Sequence, residues 1–94
     1  MIDLRRLKAR IVEAIEVYNR YRSPEATAKL LSIDKESVKV RFTGSYCLTC
    51  GVYDYFEDLT FEFQDHLGLR LEIVEVREDE NLGHTVTFKL RAEE

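Results

Sequence analysis

Cys47 and Cys50 are the two cysteines of this 94-residue chain, and both lie in the run Phe42-Thr43-Gly44-Ser45-Tyr46-Cys47-Leu48-Thr49-Cys50-Gly51. Two thiolates at CxxC spacing can ligate a soft metal ion, exchange with another disulfide, or close a disulfide on each other. The spacing alone leaves all three open. The residues before the motif alternate like a strand and those after it repeat like a helix, so the thiols sit at a strand-to-helix corner. Gly44 lets the backbone turn sharply there, and Ser45 and Gly51 leave room around the sulfurs. If Cys50 immediately precedes the first helical turn, unpaired amides and the positive end of the helix dipole favour its thiolate. Asp54, Glu57 and Asp58 act the other way and raise a thiol pKa. Tyr46, Tyr53 and Tyr55 are expected to shield the corner and lower its local dielectric.

Few other side chains offer chemistry. A zinc ion held by Cys47 and Cys50 needs two more ligands, which His66 and His84 supply only if the fold brings them to the thiols. His66 falls near the end of an acidic helix, where it complements the dipole. His84 comes directly after Gly83 and reads as a turn residue. Arg5, Arg6, Lys8 and Arg10 form a basic stretch, but the formal net charge of −4 argues against nucleic acid as a partner. The sequence has no phosphate-binding glycine loop, no Ser–His–Asp set and no general acid–base pair that stands out.

The elements that position the corner can be read from hydrophobic period. Leu4, Leu7, Ile11, Ile15 and Tyr18 recur at three- and four-residue steps, which predicts an amphipathic helix over 3–22 with Asp3 as its cap. Tyr18 and Tyr21 read as its core and rim, and Ser23-Pro24 ends it. Residues 24–33 carry two signals: Ser-Pro-Glu is a helix start, whereas Ala26, Ala28 and Leu30 alternate as in a strand. The turn Asp34-Lys35-Glu36-Ser37 and the clear strand Val38-Val40-Phe42 favour a hairpin, and so a strand over 27–33. From about Thr49 to Leu67 the period is helical, with Val52, Tyr55, Phe56, Leu59, Phe63 and Leu67 on one stripe. Thr49 or Ser45 is the expected cap, and Gly68 the left-handed stop. Residues 69–76 alternate with a slip at Ile73-Val74, a bulge signal. After a charged loop, Val86, Phe88 and Leu90 alternate cleanly. The order is α-β-β-α-β-β, which predicts an α+β domain over 1–94: a mainly antiparallel or mixed sheet with two helices packed on one face.

That order, taken with Gly44-Ser45-Tyr46-Cys47-Leu48-Thr49-Cys50 and the strand ending in Ile73-Val74-Glu75-Val76, resembles the C-terminal domain of NifU. The resemblance covers about residues 1–77 and leaves 84–91 as an extra C-terminal strand. It implies an iron–sulfur scaffold or carrier that is not an enzyme, with Cys47 and Cys50 as ligands and apoproteins as recipients. A four-iron cluster takes four thiolates and one chain supplies two, so the resemblance implies a cluster shared across a homodimer. A thioredoxin-type exchanger fits the order of elements less well, because that fold expects a β-α-β lead-in and a cis-proline opposite the motif, and the only proline here is Pro24. A structural or redox-active disulfide in an interaction module is the remaining alternative.

Composition sets the outer bounds. No apolar run approaches 18 residues and no signal pattern opens the chain, so no membrane partner and a cytoplasmic location are the expectation. Asn19, Gln64 and Asn81 are the only amide side chains beside many charged ones, the bias of heat-adapted proteins. Residues 1–22 hold six basic and three acidic side chains, whereas 51–67 hold five acids and no Lys or Arg. A basic and an acidic helix can attract each other within one chain or between two.

Overall fold

The computed structural model describes residues 4–34, 36–48, 51–79 and 83–91, without the side chains of 47, 48 and 91. Helix α1 (Leu4–Arg22) leads into a hairpin of β1 (Thr27–Ile33) and β2 (Ser37–Thr43). A short 3-10 turn (Ser45–Leu48) then precedes α2 (Val52–Leu67), after which come β3 (Arg70–Glu78) and β4 (His84–Arg91). This is the expected α+β order. The four strands form one antiparallel sheet in the order β1-β2-β4-β3.

The two-residue period of the strands explains which face is covered. Ala28, Val38, Val40, Phe42, Val86 and Phe88 point to one side and are buried against Ile11, Tyr18, Phe56 and Phe63 of the two helices. Phe42 is the hub. Its ring meets Phe56 at 4.8 Å, Tyr18 at 5.8 Å and Phe88 at 6.5 Å between centroids. The alternate residues Lys29, Lys39, Thr87 and Lys89 lie on the outer, solvated face. The 27–33 segment is a strand, and α1 reaches over to hold it. The Asn19 side chain donates to the Ala28 carbonyl at 2.9 Å and accepts from the Ala28 amide at 2.7 Å. A single amide side chain thus replaces a neighbouring strand for part of the sheet edge.

Turns obey the sequence logic with one exception. The Asp34 carboxylate accepts the amides of Glu36 and Ser37, both at 2.8 Å, and fixes the β1–β2 turn. Gly68 adopts φ 67° and donates its amide to the Gln64 carbonyl, the left-handed stop expected of it. The phase slip in β3 is a bulge between Ile73 and Glu75 opposite β4. The exception is the start of α2. Gly51 stands at its N-cap without a side-chain hydrogen bond, so Ser45 does not cap it; Ser45 begins the 3-10 turn instead. Asp3 and Thr49, the other proposed caps, lie outside the described residues.

The strand that the NifU-like resemblance set aside as an addition is central. β4 pairs with β2 along Ser37–Phe42 and with β3 along Arg70–Glu78. Among the described residues β3 has no other partner in the sheet, so a unit ending near residue 77 would leave it unattached.

Candidate functional site

At the corner after β2, Gly44 has φ 131°, and a Cβ there would overlap the Glu25 carbonyl oxygen. Only glycine permits that approach, as the sequence implied. The chain then delivers Tyr46 into the core, fully buried. Its hydroxyl lies 2.9 Å from the Phe42 carbonyl and 2.7 Å from Nδ1 of His84. A carbonyl can only accept, so the one hydroxyl proton goes to Phe42 and His84 must carry its proton on Nδ1. His84 is therefore not a turn residue; it opens β4, is 8% exposed, and stacks obliquely on Tyr46 and Phe56. Tyr55 instead bonds the Glu25 carboxylate with its hydroxyl, which raises its pKa, and Tyr53 is half exposed.

Cys47 belongs to the 3-10 turn, its side chain outside the described set, and Cys50 lies outside the described residues. His66 stands in the last turn of α2, its Nε2 3.6 Å from Glu62. At 1.5 Å per residue that is about 20 Å along the helix from the motif end of α2. The two histidines therefore do not jointly complete a thiolate zinc site.

A different feature stands on the helical side. An open cleft of about 450 Å³ runs between α1 and α2, lined by Tyr18, Tyr21, Arg22, Asp58, Phe61 and Glu62. The helices that wall it are antiparallel and held by contacts between the basic and the acidic segment. Arg22 pairs with Asp58 at 2.5 Å, and Arg10 donates to the His66 carbonyl at 3.3 Å. Tyr18 forms the floor. It is 1% exposed and donates its hydroxyl to the Tyr55 carbonyl at 2.8 Å. Burial above all, with the Asp58 charge adding to it, raises its pKa and keeps it neutral. The rims are aromatic: Tyr21 is 76% exposed and Phe61 is 62% exposed. Phe61 is two residues from both Leu59 and Phe63, and two helical steps of about 100° turn it away from the stripe they bury.

No family model matches the chain, and no curated protein matches it. Two solved structures resemble it. One is an Fe(II) unliganded H-NOX protein from K. algicida, 14% identical, with a TM-score of 0.50 over 84% of this chain and 42% of that one. The other is a Cs H-NOX mutant with 4-cyano-L-phenylalanine at site 5, 16% identical, with a TM-score of 0.54 over 92% of this chain and 49% of that one. What is shared is the fold. The chain spans less than half the length of either protein.

These findings overturn the NifU-like reading. The structures that share the fold are H-NOX proteins, and the strand that the resemblance left out sits at the centre of the sheet. Among the described residues no three His, Cys, Asp or Glu side chains are placed together to hold a metal ion. The iron–sulfur or metal-binding scaffold built on Cys47 and Cys50 falls with that reading. Among the described residues no helix is long and apolar enough to cross a membrane.

Sequence reasoning missed the cleft and the Tyr46–His84 pair, although signals for both were present. His84 is in phase with Val86, Phe88 and Leu90, and Phe61 is an aromatic residue on an otherwise acidic face.

Proposed function

We propose that this protein is a small-ligand-binding module whose seat is the cleft between α1 and α2. One observation carries the reading. Tyr21 and Phe61, two large aromatic side chains that contribute little to the core, stand exposed on opposite rims of one cleft. Exposed aromatics gathered around a concavity, rather than scattered singly, are typical of binding sites. The cleft has a buried tyrosine floor and an ion pair at one end, so it offers both apolar area and fixed polar groups.

The Fe(II) of the K. algicida H-NOX protein is a further candidate by likeness of fold. The described residues of the cleft offer it no donor set. Among the described residues no histidine or cysteine lines the cleft, and His84 is enclosed by Tyr46 and Phe56 with its Nδ1 engaged by the tyrosine.

The test is a protein-observed NMR screen with small neutral, cationic and anionic aromatic compounds. Shifts gathered on Tyr21, Arg22, Asp58, Phe61 and Glu62, and lost in Phe61→Ala, are the expected result. Compounds that bind elsewhere, or none that bind, would overturn the proposal.

A further inference from the structure

The charges around the cleft narrow the ligand. Among the described residues, the ionisable groups other than tyrosine that line it are Arg22, Asp58 and Glu62. Arg22 and Asp58 neutralise each other at 2.5 Å. Glu62 remains, paired at 3.6 Å with His66, an imidazole that is charged only when protonated. Of the two walls, α2 carries five acids and no Lys or Arg while α1 carries six basic and two acidic side chains, so the helices largely offset each other and the negative excess at the cleft itself is the Glu62 carboxylate. The rims add a second attraction of that sign, since the faces of aromatic rings are electron-rich and draw cations.

We infer that the cleft takes a small organic cation, its positive group held by Glu62 between the rings of Tyr21 and Phe61. The inference rests on the cleft being a ligand seat, and it assigns the chemical class. An anion would meet Glu62 and the acidic face of α2. A neutral aromatic would fill the same space without using the Glu62 carboxylate. A metal cation is not the occupant the lining describes, because aromatic walls and a single available carboxylate make a poor coordination sphere.

The experiment compares three probes of similar size by NMR titration of the intact chain at neutral pH and low salt. They are phenyltrimethylammonium, neutral N,N-dimethylaniline and benzenesulfonate. Phenyltrimethylammonium is expected to bind tightest, by about fivefold or more over the neutral probe, and to weaken as salt is added. Glu62→Gln should remove that advantage, so that phenyltrimethylammonium binds no tighter than dimethylaniline. Equal or tighter binding of the neutral probe at the cleft would overturn the cationic class and leave the ligand seat standing. If none of the three shifts the cleft resonances at millimolar concentration, both readings fall. Sedimentation provides the last outcome: a homodimer that Phe61→Ala dissociates would make a second copy the occupant and overturn the inference.

Discussion

The hydroxyl of Tyr46 lies 2.7 Å from Nδ1 of His84, inside the core and one residue before the first cysteine. It ties the corner after β2 to the first residue of the central strand β4. Two segments separated by 38 positions are joined by one oxygen that also donates to the Phe42 carbonyl.

Replacing Tyr46 with Phe keeps the ring contacts and deletes that oxygen. The Phe42 carbonyl and the His84 Nδ1 each lose a partner in a nearly dry site, at a cost of about 1–3 kcal/mol. Urea unfolding at neutral pH measures the loss. Nitrogen chemical shifts of His84 in the unmodified protein should show the proton on Nδ1. Unchanged stability, or a proton on Nε2, would contradict the assignment.

Gly44 is the second fixed point. Its φ of 131° and the overlap a Cβ would make with the Glu25 carbonyl render Ala costly. That carbonyl also accepts the Tyr46 amide at 2.9 Å, so relieving the clash breaks a hydrogen bond. Gly44→Ala should destabilise the fold by roughly 3 kcal/mol. A thermal melt indistinguishable from that of the unsubstituted chain would refute it.

The β1–β2 turn gives a pH dependence with a defined sign. The amides of Glu36 and then Ser37 hold the Asp34 carboxyl below its ordinary value. A depressed folded pKa means the turn's contribution is complete above the unfolded pKa, about 3.9, and is lost as pH falls through the folded value. Asp34→Asn should therefore lower stability at neutral pH and flatten the stability profile below about pH 4. A carboxyl carbon titration of Asp34 centred at or above the ordinary value would overturn this.

The cleft rims and the core respond differently to truncation. Phe61→Ala and Tyr21→Ala remove mostly exposed surface and should change stability by no more than about 0.5 kcal/mol. Phe42→Ala, at the hub of the aromatic core, should cost about 3–5 kcal/mol. Guanidinium unfolding separates the two classes. A large loss in Phe61→Ala would mean that its ring supports the fold, not a ligand.

Much of the fold could be read from the sequence, because the side chains that build it repeat with the period of their element. The stripe from Leu4 to Tyr18, the alternation Val38-Val40-Phe42 and the phase slip at Ile73 each became the expected feature. Strand order was not readable, since period reports which face is buried and not which neighbour is paired. That is how β4 passed for an appendage. The cleft was not readable for a related reason. A CxxC spacing is local and conspicuous, whereas the cleft arises from Tyr21 and Phe61, far apart in the chain, and exists only once α1 and α2 are packed antiparallel. Tyr46 and His84 are likewise joined by tertiary structure alone, although the phase of His84 with Val86 and Phe88 marked it as inward-facing.

The most direct test of the ligand seat is the set of intermolecular nuclear Overhauser contacts between the N-methyl protons of phenyltrimethylammonium and the protein. Contacts to the ring protons of both Tyr21 and Phe61, abolished by Phe61→Ala in a chain that remains folded, are predicted. Contacts confined to other residues, or none at millimolar probe, would contradict the account.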